Sequence, residues 1–231
     1  NQLGVLLLTE GRTADAGALA LSSRDAYARL AAFDTTNPER RRLLGIADRF
    51  VGVVALERGD APAALTALTA SVGALEALVA RVPTNASYQL NLVQGLAPLG
   101  AAQAAAGRVA SGEATERRAL GIVAPALAKK PSDLGLRAAF AEANLELGDA
   151  LARNGRPTDA RVAWTQALAA IDSVARARRL TDHLALQSAA LMRLDRLDDA
   201  RPIVLELVRQ GYRRQRWFAF ARAKNLLPAS E

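Results

Sequence analysis

Apolar side chains recur along this chain at steps of three and four positions, in stretches of about 20 residues. Such steps place the side chains on one face of an α-helix. A stripe at residues 43–54 is followed by Gly59 and Pro62, which suit the end of one helix and the first turn of the next. The pattern therefore predicts two helices joined by a tight turn. The stripe of the second helix consists of Ala64, Leu65, Leu68, Val72, Leu75 and Val79.

Small residues of these predicted helix pairs repeat at a fixed interval of 48 residues, which indicates a stack of similar units. The pattern occurs once more after a shorter step of 40 residues, at Ser188, Asp195 and Ala200. The chain is therefore predicted to hold five helix pairs, with small residues where the two helices of a pair approach closely. The three series are Gly4, Gly52, Gly100 and Gly148; Gly11, Gly59, Gly107 and Gly155; and Ala16, Ala64, Gly112 and Ala160.

Composition agrees with an all-α fold. Half of the 231 residues are hydrophobic, only 4% are aromatic, and no segment alternates like a strand. We expect one domain over residues 1–231. Its repeats are predicted at about 1–37, 38–83, 84–131, 132–180 and 181–211, with a capping helix at 212–226. Only three residues precede Gly4 in its helix, so we expect the chain to be a fragment of a longer protein.

The fourth repeat resembles the tetratricopeptide repeat (TPR). It has Leu147-Gly148 in its first helix, Gly155 at the turn, then Ala160 and Trp164. The resemblance implies a right-handed superhelix of antiparallel helix pairs. The ordinary repeat has about 34 residues, so about 14 extra residues imply helices about 20 residues long. This long form resembles repeats of bacterial signalling proteins, often downstream of a serine/threonine kinase domain.

The resemblance also implies a binding groove on the concave face, lined by the first helix of each pair. The Lys and Asn clamp of family members that bind chaperone tails is absent. What remains is a floor of small apolar residues with charged residues at both ends, which suits an amphipathic helix or an extended peptide. The predicted groove residues are Ile46, Arg49, Val53, Leu56, Gln94, Ala97, Ala101, Ala104, Glu142, Leu145, Asp149 and Met192.

The third repeat departs from its neighbours. Pro98 and Pro125 fall inside its helices, Gly112 replaces an alanine, and Glu116 occupies the place of Trp164. Proline inside a helix removes a hydrogen bond and bends the axis. The irregularities are consistent with a hinge or widened pocket, with a kink absorbed by packing, or with a slip in the assigned register.

Basic residues concentrate at the C-terminal end. The net charge is +7, of which residues 201–231 carry +5. One interpretation is a patch for nucleic acid or an anionic membrane surface. The favoured one is a capping helix that covers the last repeat while its arginines stay in solvent. It predicts that Trp217, Phe218 and Phe220 bury against Ile203 and Leu207, and that Arg213, Arg214 and Arg216 remain exposed.

The sequence contains few of the residues and motifs that enzymes use in catalysis. The chain has one histidine, His183, no cysteine, no phosphate-binding Gly-rich loop and no His-Glu-x-x-His pair. Asp195, Asp198 and Asp199 lack the spacing of a calcium loop and are assigned to a helix N-terminus. We therefore predict no enzyme activity, cofactor, metal or small-molecule substrate. The sequence has no run of 18 apolar residues, so it predicts no membrane-spanning helix.

Two functions remain open from the sequence. The first is a non-catalytic module that binds a partner peptide or helix in the groove, as the regulatory or scaffolding part of a larger bacterial signalling protein. The second is a structural scaffold that self-associates through its N-terminal face or its basic end. A nucleic-acid or membrane role is a distant third. We expect a cytoplasmic location, with an extracytoplasmic sensor region as the alternative.

Overall fold

The computed structural model describes residues 2–227 and is built from antiparallel helix pairs. Within this range there are eleven helices and no strand. The six long helices of the middle pairs have 20 to 22 residues, as the repeat length predicted. The helices are α1 Gln2–Thr9, α2 Thr13–Phe33, α3 Pro38–Glu57, α4 Ala61–Arg81, α5 Ala86–Ala105, α6 Val109–Lys129, α7 Leu134–Arg153, α8 Pro157–Arg178, α9 Thr181–Arg193, α10 Leu197–Arg209 and α11 Gln215–Ala223.

Local sequence explains where the helices begin and end. Asn37, Asp60, Asn85 and Asp133 each accept hydrogen bonds from backbone N–H groups at the start of the following helix. The turn glycines of the first four pairs have φ between +71° and +80°, the left-handed region that the spacing predicted. At the turn of the fifth pair Asp195 takes this conformation with φ +57°. The prediction that Asp195 belongs to a helix N-terminus is therefore wrong.

The pairs stack in two layers. The first helices α3, α5, α7 and α9 contact one another in sequence, and the second helices α4, α6 and α8 pack between the first helix of their own pair and that of the next. The mutual contacts of the first helices place them on the inner, concave side of the stack. The apolar core lies between the layers.

The assigned register holds through the irregular third repeat. A methyl group on Gly52 would meet the side chain of Leu68, one on Gly148 would meet Trp164, and one on Gly100 would meet Glu116. In each of these pairs, the side chain at the same position of the second helix thus fills the notch that the glycine leaves in the first helix. Both α5 and α6 continue through Pro98 and Pro125.

Helix α4 is the most apolar of the long helices. By length and composition alone it could cross a membrane, the one described helix to meet that criterion. Its Leu68, Leu75 and Leu78 are buried in the core that α4 forms with α3 and α5. Packing against helices on two sides accounts for these leucines, and a third of the apolar stretch is buried.

Candidate functional site

The predicted groove residues all lie on the inner helices α3, α5, α7 and α9, but they differ widely in exposure. Glu142 is exposed to solvent. Ile46, Arg49, Val53, Gln94, Ala104 and Asp149 are half-buried. Leu56, Ala97, Ala101, Leu145 and Met192 are buried.

Part of this set surrounds a pocket of about 240 Å³ on the concave face. Leu56, Ala101, Ala104 and Asp149 line it, together with residues that the sequence did not indicate. The additional polar lining comes from Glu146, Arg153 and Arg216. The remaining predicted residues do not line this pocket, and Met192 is fully buried.

Residues 212–223, here called the C-terminal segment, extend across the concave face. The Arg214 guanidinium donates to Oε1 of Glu57 at the end of α3, with an Nη2–Oε1 distance of 2.7 Å. The backbone N–H of Arg216 donates to the other oxygen, Oε2, at 3.0 Å. The Arg216 guanidinium also lies 3.2 Å from Oε1 of Glu146 on α7. One short segment thus joins two inner helices of the stack.

The same segment touches the N-terminal pair. The N–H of Arg213 donates to the carbonyl of Thr9 at the end of α1. A methyl group on Gly11 would lie 2.9 Å from the Arg213 carbonyl oxygen, so this turn needs glycine for space as well as for its φ of +76°. The curved stack therefore brings its first and last parts into contact.

The aromatic residues of the predicted cap pack against the last core cluster, with Trp217 buried and Phe218 and Phe220 half-buried. Trp217 is buried and donates from Nε1 to Ser188 Oγ at 3.0 Å, and its ring meets Tyr212 edge-on with 5.0 Å between centroids. Burial raises the pKa of Tyr212 to about 12. Leu207 and Trp217 are buried members of one core cluster, against which Ile203, Phe218 and Phe220 pack.

The expectation that the cap arginines remain exposed holds for Arg216 and is wrong for Arg213 and Arg214, which are half-buried. The side chains of Arg214 and Arg216 are 33% and 42% exposed to solvent. Both are nevertheless held by carboxylates of the inner helices. The Arg213 guanidinium donates to the carbonyls of Val208 and Tyr212 and lies over the Phe218 ring. The sequence signal that could have revealed these contacts is Glu57, because the matching positions of the next two repeats hold Ala105 and Arg153.

Asp149 is less available than a groove carboxylate was expected to be. Both its oxygens accept from the Arg193 guanidinium, at 2.7 and 2.6 Å, and Oδ1 also accepts from Trp164 Nε1 at 3.1 Å. The bidentate pair with Arg193 ties α7 to α9, and the hydrogen bond from Trp164 ties α7 to the outer helix α8. Arg193 also lies over the Phe220 ring of α11, 4.9 Å from its centroid.

Glu142 on α7 and Arg49 on α3 have no direct partners among the described residues. Neither side chain makes a hydrogen bond or ion pair within residues 2–227, although Glu142 lies close enough to Arg49 to affect its pKa. Desolvation by the surrounding walls raises the pKa of Glu142, an effect that the nearby Arg214 opposes. Desolvation lowers the pKa of Arg49. In both groups desolvation thus disfavours the charged form.

Glu116 is the most unusual group near this face. It is fully buried, and neither carboxylate oxygen has a hydrogen-bond partner among the described residues. Burial raises its pKa well above the usual range, and the charge of Glu146 adds to the shift. The sequence marked Glu116 only as an exception at the position of Leu68 and Trp164.

The described part of the chain contains no cluster of side chains that could form a metal-binding site, and its histidine has no partner for catalysis. No three side chains of His, Cys, Asp or Glu between residues 2 and 227 lie close enough to hold a metal ion. His183 is buried in α9, and neither of its ring nitrogens has a hydrogen-bond partner there.

The stacked pairs, their glycine notches and the inner layer of first helices define a TPR-like α-solenoid. A similar fold occurs in the crystal structure of BtubC (BKLC) from P. vanneervenii, with a TM-score of 0.51 and 15% identity over 91% of this chain and 89% of that one. TTC0263, a thermophilic TPR protein in Thermus thermophilus, superposes with a TM-score of 0.46 and 19% identity, over 98% of this chain and 97% of that one. No protein-family model matches the sequence, and no curated protein matches it. At these identities the similarity concerns the fold alone.

Proposed function

We propose that this chain is a non-catalytic protein-interaction module that binds a segment of a partner protein on its concave face. The observation that carries the proposal is the C-terminal segment, which already lies on this face and is held by Glu57 and Glu146. A surface that accommodates a short stretch of its own chain in this way suits a peptide of similar chemistry. The resemblance of the long repeats to those of bacterial signalling proteins supports a regulatory or scaffolding role within a larger protein.

The composition of the face favours a protein over a nucleic acid or membrane. The arginines that would contact phosphates are engaged with carboxylates, and Glu142 adds negative charge that repels an anionic surface. The pocket beside them combines an apolar side, Leu56, Ala101 and Ala104, with charged residues. This mixture suits a peptide that offers both apolar and polar groups.

A phage-displayed library of random peptides tests the proposal. The library is panned against the wild-type chain and against an Arg214→Gln, Arg216→Gln variant, in which the segment is held less firmly. Peptides that bind either chain are then measured by fluorescence anisotropy. Glu142→Arg should weaken their binding by about tenfold or more, because it reverses a charge in the groove.

Asp198→Arg is the matched control, since it makes the same charge change at an exposed position of α10. It should leave the affinity unchanged. A library that yields no binder to either chain, or binders that respond equally to both substitutions, would contradict the proposal.

Self-association is the second candidate, and the N-terminal pair favours it. Most of the large exposed apolar side chains in residues 2–227 lie on α1 and α2, and Phe33 is 85% exposed. Multi-angle light scattering over a concentration series tests this role. A mass that rises with concentration in the wild-type chain and not in a Leu3→Glu, Leu6→Glu variant supports it, and a constant monomer mass excludes it. The exposed apolar residues of the pair are Leu3, Val5, Leu6, Leu21, Leu30 and Phe33.

A further inference from the structure

The carboxylates of the concave face are arranged for a cationic occupant. Glu57, Glu142 and Glu146 form no ion pair with any side chain of α1–α10 in the described chain. Two of them are paired, and in both cases the cation comes from the C-terminal segment. Asp149 differs, because Arg193 of the solenoid itself neutralises it.

Glu57 depends on this segment for all of its polar contacts. Its side chain is only 5% exposed, and its hydrogen bonds within residues 2–227 come from the Arg214 guanidinium and the Arg216 N–H. The Arg216 N–H lies in the first turn of α11, whose own N-cap residue, Arg214, makes no side-chain capping bond. Glu57 therefore supplies from α3 the cap and the negative charge that the N-terminus of α11 requires.

An apolar anchor and charged contacts beside it hold the segment. Trp217 anchors it through an apolar contact and a hydrogen bond to Ser188. The arginine contacts beside it are partly exposed, so salt screens them and a competing cation can replace them. Glu142 has no partner and offers an additional contact to a longer basic ligand.

We propose that the C-terminal segment is an intramolecular ligand that closes the concave face, and that the partner which displaces it carries an arginine-rich stretch of the same kind. The partner's recognition element has two arginines spaced by one residue and followed by an aromatic residue, as in Arg214-Gln215-Arg216-Trp217. The inference rests on the proposed function and specifies its ligand. The chain is then autoinhibited, because a partner binds only in the fraction of molecules whose segment has opened.

The test uses a fluorescent peptide with the sequence of residues 211–227, added to the full chain. Wild type should bind it weakly, and Arg214→Gln, Arg216→Gln should bind it about tenfold more tightly or better, because the internal competitor is weakened. Adding Glu57→Gln to that variant should abolish the gain. A peptide with glutamine at the positions of Arg214 and Arg216 should not bind.

The Arg201→Gln, Arg209→Gln variant is the control for net charge, since both arginines are exposed on α10. It should bind the peptide as wild type does. Melting curves followed by circular dichroism verify that each variant is folded. Hydrogen–deuterium exchange of wild type provides a second measurement that needs no substitution: excess peptide should speed the exchange of amides 212–223.

Several results would overturn the inference. Equal peptide affinity of wild type and the double variant, binding of the glutamine peptide, or unchanged exchange at residues 212–223 would each do so. A wild-type dimer that exchanges this segment between copies would also do so, because the occupant would then be a second copy. If the random library yields binders without arginine while the 211–227 peptide does not bind, this inference fails and the proposed function stands. If neither binds, both fail.

Discussion

The glycine notch between α7 and α8 makes a sharp prediction, because alanine there should destabilise the protein. A methyl group on Gly148 would overlap Nε1 of Trp164 and lie 2.9 Å from its Cε2 atom. Trp164 would have to move, and its hydrogen bond to Asp149 would be lost. Gly148→Ala adds only one methyl group. The change in stability therefore reports on the close approach of the two helices.

The magnitude follows from opposing contributions. Replacing glycine by alanine inside a helix stabilises it by about 1 kcal/mol. Overpacking costs about 1–3 kcal/mol, and the lost hydrogen bond about 1 kcal/mol more. We therefore expect Gly148→Ala to lower the free energy of unfolding by about 1–3 kcal/mol. The melting temperature should fall by roughly 2–4 °C per kcal/mol for a chain of this size.

Urea denaturation followed by far-UV circular dichroism measures this loss. Gly121→Ala is the matched control, because it also lies within a helix but has no atom within 4 Å of the added methyl group. It should stabilise the protein by about 0.5–1 kcal/mol. In a Trp164→Ala background the penalty of Gly148→Ala should disappear. If Gly148→Ala is as stabilising as Gly121→Ala, the notch does not limit the approach of α7 and α8.

Three further substitutions test the charged groups. Glu116→Leu, which copies Leu68 of the second repeat, should stabilise the protein by about 1–3 kcal/mol at pH 7, because it removes a buried carboxyl group without partners. Since the folded pKa of Glu116 is raised, its protonated form favours folding below the unfolded pKa of about 4.3, and this contribution is lost as pH rises. The gap between variant and wild type in urea titrations should therefore widen from pH 4 to pH 7, and a gap independent of pH would contradict the burial of this group. Asp149→Leu should cost about 1–3 kcal/mol, because it leaves Arg193 and Trp164 Nε1 unpaired. Glu142→Leu should not destabilise the protein, because Glu142 has no hydrogen-bond or ion-pair partner to lose within residues 2–227, and equal unfolding midpoints of the two variants would show that the Asp149 contacts do not stabilise the fold.

The candidate site was only partly predictable. Superposing the repeats placed Leu56, Ala101, Ala104 and Asp149 on the inner helices, and these four line the pocket. The pattern could not show that Asp149 is engaged by a residue 44 positions away. It also offered no means to pair Arg214 with Glu57, which are 157 positions apart. The arginines were expected to be exposed, but how far a side chain is exposed depends on how the whole stack folds.

The sequence by itself determined the helices, their lengths, the turns and the register of each pair. These features depend on residues a few positions apart: apolar steps of three and four, a left-handed glycine at +71° to +80°, a capping Asn or Asp, and a small residue opposite a large one. Only the tertiary structure decided that the C-terminal segment reaches both α1 and α3. The curvature of a stack is the sum of small rotations from one pair to the next, so the meeting of its ends is encoded in every interface at once.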